Sequence, residues 1–234
     1  MFKKVDHIVR FQDKGYIVHG LSDTGVKKTA SMVDIRAAVV EPVNELPCYY
    51  LVCGMLDKPN MWNKRPVVFL NEGQDQSANR VFKSLLEDDV KRLCITTIYA
   101  NRTNEGFFRS LWRYRQDYDI SCSIQPAISR ENLEYGDALI REAQRDKALI
   151  EPKDHKPVLS QQLDDLSDMG YEKDMKVDYD QFYAWTALRY LLAGFILRPP
   201  MDYKIPQNDI SKAFEQDTRR GNSRNVNNLS QWAV

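Results

Sequence analysis

Two short apolar runs constrain the fold of this chain more than any other feature: Cys-Tyr-Tyr-Leu-Val-Cys-Gly-Met over 48–55 and Pro-Val-Val-Phe-Leu over 66–70. Neither alternates apolar with polar residues. A strand of that kind is covered on both faces, the pattern of a parallel sheet held between layers of helices. Further apolar strands fall at 93–98 and 120–124, and shorter β-like runs at 5–11 and 15–20 flank a turn at Gln12-Asp13-Lys14-Gly15. Helical spacing fills the gaps. Residues 29–40 place Ala30, Val33, Ala37 and Val40 on one stripe, and residues 75–86 place Ala78, Val81, Phe82 and Leu85 inward. Strands alternating with helices predict an α/β sandwich.

From about residue 130 the pattern turns helical, with segments at 131–147, 158–169 and 179–197. The last carries Phe182, Trp185, Leu188, Leu191, Leu192 and Phe195 and is expected to be buried; Arg198-Pro199-Pro200 stops it. A shorter helix is predicted at 208–218. The chain thus divides into an α/β core over 1–128, a smaller helical region over 129–218 and a flexible polar tail over 219–234. Trp232 in that tail is a candidate docking anchor.

Charge narrows the partners. Lys+Arg and Asp+Glu balance at 33 each, so bulk charge supplies no attraction to a polyanion, and nucleic acid is the less favoured partner. No apolar run reaches the roughly 18–20 residues that span a bilayer. Met1-Phe2-Lys3-Lys4-Val5-Asp6 lacks the apolar core of a signal peptide, and a cytoplasmic protein is expected. Cys48, Cys53, Cys94 and Cys122 have neither zinc-ligand nor redox-pair spacing and read as small buried hydrophobes. His7, His19 and His155 stand far apart. Asp164, Asp165, Asp168, Asp174, Asp178 and Asp180 match either metal-dependent nuclease carboxylates or, more ordinarily, a solvated loop and helix start.

The stretch 16–30 ends Ser22-Asp23-Thr24-Gly25-Val26-Lys27-Lys28-Thr29-Ala30 and reads as strand, small-residue loop, then Lys-Thr opening a helix. A phosphate-binding loop uses that order because backbone N–H groups and the helix N-terminus surround the anion. Ser22, Gly25, Lys27, Lys28 and Thr29 are therefore the candidate ATP-binding residues, with Thr29 also a Mg²⁺ ligand. Ser22 and Lys27 stand where the pattern has glycine. Downstream, Val67-Val68-Phe69-Leu70-Asn71-Glu72 has the shape of a Walker B strand. Asn71 holds the place of the metal-organising Asp, and Glu72 that of the residue polarising the attacking water.

With residues 82–99 and 110–120 added, the order resembles the first ATPase module of Clp-type AAA+ unfoldases. That family has a helix ending in Leu-Leu (Leu85-Leu86 here), a strand with Thr-Thr-Tyr (Thr96-Thr97-Ile98-Tyr99) and an Arg-Arg pair (Arg113-Tyr114) before the last core strand. The resemblance runs from residue 16 to about 124. It implies a P-loop NTPase-like parallel sheet flanked by helices, a helical lid, and ATP with Mg as cofactors. It puts Thr96 where the γ-phosphate is sensed. Arg113 would reach the neighbouring subunit's nucleotide in a homo- or hetero-oligomeric assembly.

The replaced glycines and Asn71 point to a pseudo-ATPase, a structural or regulatory subunit with lost or weakened hydrolysis, since phosphoryl transfer depends on positioning and charge. Two rivals stand beside this reading. One is a working ATPase motor, either a protein remodeller or a phage terminase-like DNA translocase; Thr96-Thr97 followed by Phe107-Phe108-Arg109-Ser110-Leu111-Trp112 suggests the translocase. The other is a purely structural virion or secretion-machine component. Arg113 and Arg115, set among Trp112, Tyr114 and Tyr118, form a basic–aromatic helix face suited to stacked guanidinium groups or to nucleic acid.

Overall fold

The computed structural model describes residues 3–5, 7–10, 16–21, 28–41, 45–60, 64–127, 133–152, 158–168 and 181–197. Its strands are β1 (Lys3–Val5), β2 (His7–Arg10), β3 (Tyr16–Leu21), β4 (Lys28–Val40), β5 (Cys48–Leu56), β6 (Val67–Asp75), β7 (Thr97–Ala100), β8 (Ser123–Pro126) and β9 (Leu149–Pro152). The helices are α1 (Ala78–Phe82) and α2 (Val90–Leu93), joined by π-helical Lys83–Asp89, then α3 (Glu105–Asp117), α4 (Leu133–Arg145), α5 (Val158–Asp168) and α6 (Tyr183–Leu197). None of them is long and apolar enough to cross a membrane.

All nine strands join one sheet, in the order β1-β9-β6-β5-β4-β3-β2, with β7 paired to β4 and β8 to β7. The sheet is mixed. β4, β5 and β6 run antiparallel to one another in turn, whereas β7 is parallel to β4 and β8 to β7. β9 lies parallel between β6 and β1, so the mostly helical second half also contributes a strand. The first residues of β4 pair with β3, and β3 with β2, as an antiparallel meander.

Two expectations fail here. The wholly parallel sheet fails because an unalternating apolar run reports that both faces are covered and says nothing of direction. Every residue of β5 is buried, yet both of its partners are antiparallel. The helix expected over 29–40 is β4 instead. Both of its faces from Ala37 to Val40 are buried, so a helical stripe of Ala and Val coincides with a strand that is apolar all round.

Helices cover each face of the sheet. Val81, Phe82, Leu85, Leu86, Val90, Leu93 and Leu111 close one side over Ala37, Val39, Val52, Val68 and Ile98. Leu139, Leu159, Leu163, Trp185, Leu188, Leu191 and Phe195 close the other over Ala38, Leu51, Cys53, Phe69 and Tyr99. Burial of each such side chain stabilises by about 1.5–3 kcal/mol, so α6, buried from Ala184 to Phe195, is indispensable to the second layer.

Candidate functional site

Among the described residues, Lys28 and Thr29 stand apart from Glu72. Ser22, Gly25 and Lys27 lie outside the described residues. Lys28 and Thr29 open β4 opposite Leu21 and His19, so the Lys-Thr pair sits in an antiparallel ladder and no helix N-terminus faces an anion there. Glu72 aligns with Leu51, and Leu51 with Ala38. Ala38 is ten residues along β4 from Lys28, about 33 Å at ~3.3 Å per residue.

Asn71 and Glu72 are neighbours on a strand and serve opposite faces. Asn71 Nδ2 donates to Asp89 Oδ2 at 2.8 Å, and Tyr50 Oη donates to the same oxygen at 2.8 Å. Arg92 closes on Asp89 Oδ1 at 2.6 Å. This buried carboxylate, which pins the helical rod 78–93 to the sheet, is thus saturated. On the other face Glu72 accepts from Tyr49 Oη (2.6 Å) and from the backbone N–H of Val158 (2.7 Å), the first residue of α5. A carboxylate there satisfies an orphan donor and complements the helix dipole. Burial, with Glu72 beside it, pushes the Tyr49 phenol well above its ordinary pKa. Arg113 is exposed on α3.

A different cluster forms where β4, β7 and α6 meet. The chain leaves β4 toward β5 on one side and β7 toward β8 on the other. Open α/β sheets bind ligands at such a reversal, outside the carboxyl ends of the two strands. On the α6-facing side Ala38, Val40 and Tyr99 lie toward those carboxyl ends, with Asp34 and Arg36 behind them, Arg36 opposite Thr97, the first residue of β7. Thr96 Oγ1 donates to Asp34 Oδ1 (2.7 Å), and Arg36 Nε donates to Asp34 Oδ2 (2.7 Å). One Arg36 terminal nitrogen donates to Tyr99 Oη (2.9 Å) and to the Gly194 carbonyl (2.8 Å). That carbonyl belongs to the last turn of α6, where C=O groups lack helical partners and the dipole is negative. The guanidinium also lies 4.8 Å from the Phe195 ring centroid. Its side chain is only 6% exposed.

Gly194 makes this approach feasible, because a Cβ there would strike the Tyr99 ring. Sequence reading overlooked the cluster. Its signal was Asp34-x-Arg36 inside an apolar run: a charge pair at i,i+2, on one strand face.

Among the described residues the Asp34–Arg36 cluster gathers too few carboxylates for a metal centre. Divalent-metal catalysis in two-metal sites holds the ions about 3.5–4 Å apart on shared carboxylates. Asp34 is already matched by a buried cation, and the next carboxylate along the chain, Glu41, is seven residues away, about 23 Å along an extended strand. At the end of β7, Asn101 Oδ1 accepts from Thr103 N (3.0 Å) and Oγ1 (2.8 Å). Among the described residues no group of three or more His, Cys, Asp or Glu is placed to hold a metal ion. Of the acidic residues noted in the sequence, Asp164 and Asp165 are exposed on α5, and 174, 178 and 180 lie outside the described residues.

No family model and no curated protein matches the sequence. Two solved structures are similar in shape. One is the nuclease domain of the g2p large terminase of bacteriophage SPP1 with bound Mn (TM-score 0.48, 14% identity, 67% of this chain and 84% of that one). The other is the human cytomegalovirus terminase nuclease domain, Mn-soaked and inhibitor-bound (TM-score 0.43, 7% identity, 71% of this chain and 83% of that one). Neither is an AAA+ module. The strand that stands in place of the expected Lys-Thr helix overturns the Clp-type resemblance, the P-loop and the ATP binding expected with them.

Proposed function

We propose that this chain is a non-cleaving module of ribonuclease H-like architecture, a structural or regulatory part of a nucleic-acid-handling assembly such as a terminase. What supports the architecture is the chain's own strand order, β6-β5-β4-β7-β8, with the first three antiparallel and the last two parallel to β4. What carries the loss of cleavage is Arg36. A buried guanidinium, bonded to Asp34, Tyr99 and the end of α6, ties up Asp34, the carboxylate that β4 carries on the α6-facing side of the sheet. With its charge already matched by Arg36, Asp34 has little left for a divalent cation, and the neighbouring Ala38, Val40 and Tyr99 supply no second anion.

The test is direct. The purified chain is incubated with supercoiled plasmid and with single-stranded DNA in millimolar Mn²⁺ or Mg²⁺, and Mn²⁺ binding is followed by calorimetry. No nicking above the metal-free control and no saturable heat are expected. Mn²⁺-dependent nicking that disappears in Asp34→Asn would overturn the reading.

A further inference from the structure

The outer side of α3 is largely exposed. Its inner side packs through Leu111, with Phe107 and Tyr114 against Phe82 at centroid distances of 5.4 and 5.9 Å. Its outer stripe carries Arg109, Trp112 and Arg115 at three-residue spacing, with Arg102 just ahead of the helix. Trp112 is 45% exposed, an unusual place for the largest apolar side chain.

Trp112 is also the wall shared by two shallow depressions. One, of about 230 Å³, is lined by Arg102, Glu105, Phe108 and Arg109. The other, of about 450 Å³, is lined by Thr96, Arg115, Ser121, Cys122, Ser123 and Ile124. The first is smaller than the roughly 300 Å³ at which pockets begin to enclose a small ligand, so the surface suits something that lies across it. Three arginines face one glutamate, and Glu105 is already paired with Arg109 (2.7 Å). The patch is thus basic although the chain is neutral. In the second depression the Arg115 Nε is buried with no hydrogen-bond partner.

We propose that this face binds single-stranded nucleic acid, with a base stacked on Trp112 and phosphates on the arginines either side. Arg109 and Arg115 are six residues apart, a rise of about 9 Å along the helix with Trp112 midway. An alternation of cation, ring, cation is how sequence-tolerant single-strand sites are built, the ring taking any base and the cations tracking the backbone. The proposal goes beyond the non-cleaving reading and is independent of it, since neither Arg36 nor Asp34 takes part.

The experiment uses the whole chain in EDTA, which removes any cleavage from the measurement. Fluorescence anisotropy follows a labelled oligothymidylate of about 16 nucleotides, with a duplex of equal length as competitor. Binding is expected to weaken steeply between roughly 50 and 200 mM salt. Trp112→Ala should weaken it by about 5- to 150-fold, with Trp112→Phe recovering part of the loss. The double variant Arg109→Ala, Arg115→Ala should lower the salt slope by about 1.4, at ~0.7 per phosphate contact. Circular dichroism melts of each variant verify folding, and Arg109→Glu, at a solvent-exposed position, gives a second variant that leaves the core untouched. Absence of salt-dependent binding, preference for the duplex, or equal affinity of folded Trp112→Ala would overturn the proposal. A surface that meets protein instead gives the first of these results.

Discussion

Arg36 joins a strand to its parallel neighbour and to the end of a helix, and the cost of losing it is correspondingly large. Arg36→Met keeps the aliphatic length but leaves Asp34 without its cation in a buried place, and strips partners from Tyr99 Oη and the Gly194 carbonyl. Breaking one side of a buried ion pair typically costs about 3–5 kcal/mol. A urea titration of the variant should therefore show a loss of that order, with Arg36→Lys intermediate because an ammonium lacks the planar fork. A loss below about 1 kcal/mol would mean that water replaces the guanidinium readily. Three of the residues singled out from the sequence make hydrogen bonds that tie elements together. Asn71 and Glu72 hold helices to the sheet, and Thr96 fixes Asp34. Their polar character inside or beside apolar runs was legible; the partners were not, because hydrogen bonds spanning up to 86 positions leave no local trace.

At the level of elements, the rod 78–93 ends at Cys94, which takes a left-handed conformation (φ 57°) as the helix cap. That conformation costs a residue with a Cβ roughly 1–2 kcal/mol, and glycine adopts it freely. Cys94 is exposed, so Cys94→Gly forfeits little packing. It should raise the unfolding free energy by about 1 kcal/mol, read as a higher urea midpoint at unchanged slope. Element positions were largely readable: the strands at 48–56 and 67–75 and the helices at 133–145, 158–168 and 183–197 fall where apolar patterning put them. β4 was not. Its alanines favour helix and happen to recur at helical spacing, whereas Thr29, Val33, Ile35, Val39 and Val40 carry the β-branching that prefers a strand. The phosphate-loop likeness shares this origin. Strand, small-residue loop and Lys-Thr describe a hairpin equally well, and the two differ only in whether a helix or a returning strand succeeds the loop.

For the molecule as a whole, the thiols report folding. Cys48, Cys53 and Cys122 are buried and Cys94 is exposed. Burial pushes the Cys48 thiol up to about 12 from its ordinary 9.0, and raises Cys53 and Cys122 as well. Ellman's reagent at about pH 8, below the usual thiol range, should therefore titrate Cys94 alone in the native protein and all four thiols in denaturant. More than one fast native thiol would contradict the packing. The same burial sets a pH limit. Unfolded thiols ionise near 9.0, whereas the folded Cys48 holds its proton to about 12. The folded chain binds more protons in that window, so this contribution is complete below pH 9 and is lost as pH climbs toward 12.

One pairing bears on how such a molecule is made. Lys3 in β1 sits beside Ile150 in β9, a separation of 147 positions (150 − 3). Synthesis runs from the amino end at about 5–20 residues per second, so a nascent chain must expose β1 for many seconds before its neighbour emerges from the ribosome. α6, which covers the second face, emerges later still. This architecture therefore closes only once α6 has followed β9 out of the ribosome, and co-translational helpers that shield bare strands would meet β1 before that helix does.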